Sequence, residues 1–547
     1  MCPLTKLSQR GVLWIVFCKF IVFSACTESI MSTSNNKEGI IASRKIDTSL
    51  LNDLIEQRIF SESDSTFFLN GTDTLDRMKI FKEVYSEKKC LWIHEEGITP
   101  SGSELMKVLA DLQYDGINTE RYQLTELQNL SKQIQKDASE EVLFSFETLL
   151  TKAFLKASRD MVLGYTVNTN KEIKNKNDTL FNEVDVLRLA LQNENMSESF
   201  RLMQPQHPWY RKFRREYLRL SKMKMVDSFP MIHQIKDSLA IGDSSLHIAQ
   251  LRKRLYKELQ LPADTTSTIW NNDLIESLAK FQYIHQLKVT GKPDTATLHK
   301  LNTSIESKLK SLALNMERFR WLKHDFRQPY IWVAIPKMEM EYVEQDSVAF
   351  QMRVVIGRPS RATPALDASI LNVVLSPPWN VPPTIMREEV IPGIARRGGS
   401  YLSRRGLKAY DRRGRVVHPS AINARNYRNF SIGQAPGYRS SLGEVKFNMP
   451  NPWAIYMHDT PHREDFVKSY RAYSSGCVRV HKPKEFASFL LRDSIQYSYA
   501  KIDSICKLRK TIFVPINRQI DVHFIYLTNA VDSAGNVMYL KDVYHWD

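Results

Sequence analysis

Cysteine is scarce in this sequence, with six residues in 547. Cys2, Cys18 and Cys26 sit near the amino terminus, which leaves Cys90, Cys477 and Cys506 for the rest of the chain. Three cysteines in so long a chain exclude a disulfide framework, and an odd number leaves at least one thiol free. Nothing in the sequence argues for a Cys90–Cys506 pair, so both read as small buried apolar residues. Long apolar runs are also lacking. After the first 26 residues nothing approaches the ~18 uninterrupted apolar positions of a membrane-spanning helix. Metalloprotease spacing is missing too, because His94-Glu95-Glu96 has no second histidine behind it.

What is present describes a folded, basic, exported protein. Hydrophobic residues make up 43% and charged residues 25%, which excludes disorder along the whole chain. The length suits roughly three domains. A net charge of +16 calls for an anionic partner: nucleic acid, an anionic membrane or an acidic glycopeptide. Arg396-Arg397, Arg404-Arg405, Arg412-Arg413 and Arg415 crowd into the stretch 384–439. No groove-reading helix or aromatic stacking platform accompanies them, so nucleic acid is set aside and an acidic glycopeptide fits better. Lys6 and Arg10 precede the apolar stretch Gly11 to Ala25, which ends in Ser24-Ala25-Cys26. This reads as a secretory leader, with Cys26 a candidate lipidated residue although Phe23 and Lys19 depart from the usual pattern. The expectation is a periplasmic protein that meets a membrane only through its leader.

The expected fold class is multi-domain α+β. Residues 1–26 form the leader and 27–45 a polar tether; 46–243 form a helical scaffold, with helical periodicity at Leu105 to Leu112 and Phe144 to Met161. In 244–302 the leucines Leu251, Leu255 and Leu259 mark one helix face, and Leu274, Leu278 and Phe281 a second. The Gly291-Lys292-Pro293-Asp294 turn and a short helix from Thr295 to Leu301 follow. With Phe281-Gln282 and Leu301-Asn302, this unit resembles the peptidoglycan-binding-domain family. A short helical linker, Leu312 to Leu322, then leads into a β-rich region. Tyr330 to Ile335, Met338 to Tyr342, Phe350 to Ile356 and Val522 to Tyr526 read as strands.

The chemistry centres on Ser474-Ser475-Gly476-Cys477-Val478-Arg479. A cysteine becomes a nucleophile when its thiolate is stabilised and a base is within reach. Gly476 lets the backbone turn and a substrate approach. Arg479 lies two residues on, on the same face of an extended strand, where its charge is expected to favour the thiolate or a substrate carboxylate. The amides of the Ser475-Gly476-Cys477 turn are candidate oxyanion donors. The base is expected to be His458, which follows the strand-like Ala454 to Met457 and opens His458-Asp459-Thr460-Pro461. His462 and His481 read as surface side chains. Ser-x-x-Lys occurs at Ser221 and Ser307, but in helical segments and without a Lys-Thr-Gly partner, so a serine D,D-transpeptidase is set aside.

His458-Asp459-Thr460-Pro461 followed by Arg471, Ser474 to Val480 and Pro483 resembles the active-site motif of the L,D-transpeptidase catalytic-domain family, in its large multi-domain subgroup. Asn315, Glu317-Arg318, Pro378 to Pro382, Gln434, Pro436-Gly437, Leu442-Gly443, Lys446-Phe447, Asp532, Gly535 and Asp542 to Tyr544 match as well. The resemblance implies that 303–547 is the catalytic domain, with 384–439 a mobile substrate-capping insertion. It further implies a Cys477 thioester on a peptidoglycan tetrapeptide, with release of D-Ala and transfer to an amine acceptor to give 3→3 cross-links. The Asp459 backbone carbonyl orients His458, Gly476 shapes the oxyanion turn, and Ser475, Tyr456, Trp379 and Arg479 contact substrate. No metal or cofactor is required; the partners are stem peptides and glycan, with other cell-wall synthases as candidates. Water or a protein lysine as acceptor would make a carboxypeptidase or a protein-attaching enzyme, and a non-catalytic wall-binding scaffold is the remaining alternative.

Overall fold

The amino-terminal helices are built around Glu140–Leu163, whose apolar positions bury Phe144, Leu150, Phe154 and Met161 completely. Helices Thr48–Phe60, Pro100–Asp111, Leu124–Ile134, Glu183–Gln192 and Met196–Met203 pack against it. Local chemistry sets their starts. Thr99 caps Pro100–Asp111 by accepting from the Gly102 amide, and Pro100 supplies a pre-set first turn. The computed structural model describes residues 45–60, 74–166, 181–226, 231–232, 235, 239–259, 261, 266–322, 326–423 and 425–547. The expected leader with Cys26, the tether as far as residue 44 and the Asn- and Lys-rich stretch 168–178 lie outside the described residues. No helix among the described residues is long and apolar enough to cross a membrane.

Residues 246–301 form the three helices expected there: Leu246–Leu259, Asn272–Ile284 and Thr295–Leu301. Leu251, Leu255, Leu274, Leu278, Phe281 and Leu301 make its core. The Phe281-Gln282 pair divides its labour. Phe281 fills the core, and buried Gln282 accepts from the Thr290 and Gly291 amides at 2.8 and 2.9 Å while donating to the Lys292 carbonyl and Thr297 hydroxyl. One amide thus fastens the turn to the second helix, and Gly291 takes the left-handed conformation the turn needs (φ 64°).

The segment read as a short linker is instead a core element. Helix Ile305–Arg320 lies between helix Pro208–Val226 and the outer side of the sheet. Met316, Phe319, Trp209, Phe213, Trp332 and Ile525 share one apolar cluster. Its polar residues are buried as well and account for the matched motif. Asn315 bonds Thr528 and Asn529, and Arg318 pairs with Asp547 at 2.7 Å. Glu317 accepts from the Tyr165 and Thr166 amides at 2.7 and 2.8 Å and pairs with Arg320, which also donates to the Asp115 carbonyl and the Tyr210 hydroxyl. Glu317 and Arg320 are 1% and 0% exposed. Removing one partner of such a pair leaves a buried charge uncompensated. Glu317→Ala should therefore lower unfolding free energy by about 3–5 kcal/mol, read as a lower denaturant midpoint.

The carboxy-terminal region is a curled sheet of eleven strands among the described residues. Its order is Ile512–Pro515, Asn372–Leu375, Val445–Asn448, Met457–His458, Val478–Val480, Ser347–Gly357, Glu339–Glu344, Tyr330–Ala334, Asp521–Ile525 and Leu366–Ser369, with Ala472–Ser474 also paired to Ser347–Gly357. Ser347–Gly357 hinges the sheet, antiparallel to Glu339–Glu344 along most of its length and to Val478–Val480 near its end. Alternation explains the faces: Met340 and Tyr342 turn inward while Glu339 and Glu341 do not. Helices Pro483–Leu490 and Tyr499–Lys507 cover the inner face through Phe486, Leu490 and Ile502.

The basic insertion, expected as a substrate-capping unit, has a small sheet and core of its own. Val416–Val417, Lys408–Tyr410, Ser431–Gln434 and Trp379–Asn380 pair in that order over Ile394, Leu402, Ala409 and Ile432. Trp379–Asn380 supplies the edge strand, so this sheet begins before residue 384.

Candidate active site

Register places the candidate residues on one face of the sheet. Lys446 lies opposite His458, and His458 opposite Arg479 on the parallel neighbour. The Val478 amide bonds the Tyr456 carbonyl at 3.0 Å, carrying the pairing one step back toward Cys477. Residues in register share a face, as do residues two apart on a strand. Lys446, Tyr456, His458, Cys477 and Arg479 therefore face one way, while Val445, Phe447, Met457 and Val478 fill the core behind them. The Lys446 ammonium lies 4.1 Å from the Tyr456 ring centre, and the Tyr456 and His458 rings are 5.6 Å apart at a steep angle.

His458 is held in one role. Its Nδ1 donates to the Asp459 carbonyl at 2.5 Å, which leaves Nε2 as the proton acceptor. The ring is 6% exposed. Burial, reinforced by the Arg479 and Lys446 charges, pushes its pKa down to about 3, so the resting imidazole is neutral. The Asp459 carboxylate is committed elsewhere. It accepts from the Glu444 amide at 2.8 Å and the Thr460 amide at 2.6 Å, and pairs with Arg463. Gly443 makes this possible: a Cβ there would collide with the carboxylate.

The nucleophile turn is braced from several sides. Gly476 adopts φ 113°, open to glycine alone at little cost. Its carbonyl accepts from Thr363 Oγ1 at 2.8 Å, and Tyr544 joins the same brace by accepting from the Thr363 amide and donating to the Gly357 carbonyl. Ser474 Oγ donates to the Cys477 carbonyl at 2.5 Å and accepts from the Gly476 amide at 3.2 Å. The Gly476 N–H, expected as an oxyanion donor, is therefore occupied within the turn. Exposed Ser475 accepts from Arg361 at 3.0 Å, and Arg361 also pairs with Glu388 and Glu389 at the base of the insertion.

The charge assignment differs from the sequence expectation. Arg479 does share the face of Cys477, but its guanidinium pairs with Asp465 at 3.2 Å and acts on His458. The cation felt by Cys477 is Lys446, whose own pKa burial lowers. Half-buried Cys477 has its thiol pKa pushed up by burial, against opposing hydrogen bonds from the Tyr456 amide and hydroxyl. Its thiol also lies 3.9 Å from the Ala454 carbonyl. Among the described residues it forms no hydrogen bond with the imidazole, so the resting pair is neutral thiol and neutral base. The Trp379 side chain reaches the Tyr456 hydroxyl and opposes the burial that raises its pKa, which brings the insertion's edge strand to the site.

Other expectations resolve by position. Of the expected strand 454–457 only Met457 pairs as a strand, together with His458. Ala454 has positive φ, and Asn451 bonds the backbone of Ile455 in a tight loop. His462 is exposed beside Glu464, and exposed His481 packs on Phe466. Cys90, Cys477 and Cys506 are all free, with Cys506 buried. Among the described residues, no three His, Cys, Asp or Glu side chains converge as metal ligands would. Lys446 is the residue sequence reasoning passed over as a functional group; its signal is the alternation Val445-Lys446-Phe447, which turns a lysine out of a core strand.

Comparison with known proteins agrees with this architecture. The L,D-transpeptidase catalytic domain family matches residues 328–502, a scaffold domain 79–216, and a "putative peptidoglycan binding domain" 245–301. A "putative L,D-transpeptidase" of Haemophilus influenzae is 34% identical over 288 residues, 51% of this chain and 57% of that protein. The aligned chain thus spans little more than half the length of that relative. Among solved structures, an L,D-transpeptidase of Xylanimonas cellulosilytica aligns at 11% identity over 54% of this chain and 100% of that one, with a TM-score of 0.17. One of Enterococcus faecium aligns at 10% over 40% and 64%, with a TM-score of 0.18; at such scores neither carries an argument. Residues 328–502 are an L,D-transpeptidase catalytic domain, carried on one chain with a scaffold domain and a peptidoglycan-binding domain.

Proposed function

We propose that this chain is an exported L,D-transpeptidase that forms 3→3 cross-links in peptidoglycan, with Cys477 as nucleophile and His458 as general base. The observation that carries the reading is the tethered imidazole on the face of Cys477, with Nδ1 tied to the Asp459 carbonyl and Nε2 left to accept a proton. Cys477 and His458 are diagonal neighbours on adjacent strands and face the same way. As Sγ attacks the carbonyl of the third stem residue, its proton passes to His458 Nε2. The imidazolium then protonates the leaving amine, and D-Ala departs from the thioester. A side-chain amine of a second stem attacks that thioester, gives its proton to His458, and the proton returns to sulfur as the amide forms.

The electrostatics suit an anionic donor. Carboxylates of a bound stem would offset the Lys446 and Arg479 charges that disfavour imidazolium, so base strength rises when substrate arrives. Tyr456 and Lys446 are placed to hold negative charge at the sulfur. Trp379 and the arginine-rich insertion, fastened by Arg361 to Glu388 and Glu389, would cap the donor. A carboxypeptidase would share every step through the thioester.

The test is incubation of the native protein with disaccharide-tetrapeptides, followed by mass spectrometry of products and protein. D-Ala loss with dimer formation, and a peptide adduct mapped to Cys477, is the expected result. D-Ala loss without dimers would redirect the reading to a carboxypeptidase, and no adduct at all would end it.

A further inference from the structure

A polar cavity lies away from the catalytic face, where three parts of the chain meet. It is bounded by helix Pro208–Val226, by helices Leu246–Leu259, Asn272–Ile284 and Ile305–Arg320, and by the Asn529–Val531/Val537–Tyr539 hairpin. Its volume is about 230 Å³. That falls below the ~300–1,000 Å³ of sites for drug-sized ligands, so it suits one segment of a polymer.

The lining carries five lysine and arginine side chains against two carboxylates. Both carboxylates are already satisfied. Glu258 pairs with Lys308 and His285, which hold its pKa down at about 2 despite burial. Glu216 pairs with Arg219 at 2.6 Å and accepts from Tyr539. Lys212, Arg215 and Lys280 form no ion pair or hydrogen bond among the described residues, so half-buried Lys212 and exposed Arg215 and Lys280 line the cavity as unpaired cations. The hairpin turn is shaped to admit one of them. Gly535 has φ 83°, and a Cβ there would stand 2.9 Å from the Lys212 ammonium. The matched pair Asp532 and Gly535, for which the catalytic face has no use, thus builds this wall: Asp532 fixes the turn by accepting from the Asn536 amide at 2.7 Å.

We propose that this cavity is an anion-binding site for a carboxylate-bearing segment of a peptidoglycan stem peptide, which holds the wall while the catalytic face works on another stem. The proposal rests on peptidoglycan being the substrate. Lys212, Arg215 and Lys280 supply the charge, and Leu259, Ile284 and Val537 give the segment's aliphatic part an apolar wall.

The test titrates a soluble stem tripeptide, L-alanyl-γ-D-glutamyl-diaminopimelate, into the full chain and into the Lys212→Gln/Arg215→Gln/Lys280→Gln variant by calorimetry. The expected result is at least a tenfold loss of affinity at one site in the variant, with D-Ala release from tetrapeptide unchanged and a tripeptide amidated at its carboxylates binding both proteins equally weakly. Identical titrations of the two proteins would overturn the proposal, as would a site that takes inorganic phosphate but not the tripeptide. If neither protein releases D-Ala, the catalytic reading fails, while the titration still decides this one.

Discussion

Alanine at position 477 should abolish the reaction while leaving the fold intact. Loss of a covalent nucleophile removes roughly 10⁴–10⁶ in rate, and no thioester mass should remain on the protein. Neither of the other two thiols among the described residues can take over. Cys506 is buried behind the sheet and Cys90 lies in a connection of the amino-terminal helical region, and burial pushes each thiol pKa up to about 11. Stability should change by less than about 1 kcal/mol, because the half-buried thiol makes only a 3.9 Å contact with the Ala454 carbonyl and hydrogen bonds with Tyr456. Serine should not rescue. A hydroxyl holds its proton far more tightly than a thiol, and the base meant to take it is itself weakened by burial. Native-level D-Ala release by Cys477→Ala, read in the same mass-spectrometric assay, would move the nucleophile elsewhere.

Much of this site was legible because its chemistry is local. His458-Asp459-Thr460-Pro461 and the Ser474-to-Arg479 run each carry their own geometry: the imidazole reaches the carbonyl of the next residue, and the glycine makes its own turn. The three-helix unit was equally readable, since Leu251, Leu255, Leu274, Leu278 and Phe281 repeat at helical spacing and do form its core. What escaped depends on pairing between distant segments. That Arg479 answers Asp465, and that Lys446 is the cation beside the sulfur, follow from strand register and side-chain competition. Ser474 taking up the Gly476 amide is likewise a choice among short-range partners that residue types alone leave open. The segment Leu312 to Leu322 reads as a linker in the sequence, but it belongs to helix Ile305–Arg320, whose polar residues Asn315, Glu317 and Arg320 are buried. They are buried because Glu317 and Arg320 satisfy each other and the Tyr165–Thr166 backbone 150 residues away in sequence.

Replacing His458 by alanine should slow acylation of Cys477 by about 10²–10⁴, the usual worth of a positioned general base. The pH dependence distinguishes this base from an ordinary surface histidine. Because burial and two cations push His458 down to about 3, the free protein keeps a neutral imidazole well below the usual value of 6.5. The acid limb of kcat/KM should therefore be absent near pH 6.5, with less than about a twofold change between pH 5 and 8. The alkaline limb, set by the raised thiol, should lie above the ordinary cysteine range. The acid limb of kcat should sit higher than that of kcat/KM, since a bound donor's carboxylates offset Lys446 and Arg479 and restore the base. Stability gives the same group a second signature. A depressed histidine contributes stability that is full above its unfolded pKa and is lost as pH falls toward its folded one, because the unfolded chain binds the proton first. Denaturation of the native protein should thus become easier from pH 6.5 down toward 3. His458→Ala should flatten that slope by on the order of a few kcal/mol. It should not erase the slope, since buried His207 is also pushed down to about 3 and remains. An acid limb at pH 6.5 in kcat/KM, or an unchanged stability slope in His458→Ala, would show that the imidazole is not the buried neutral base described above.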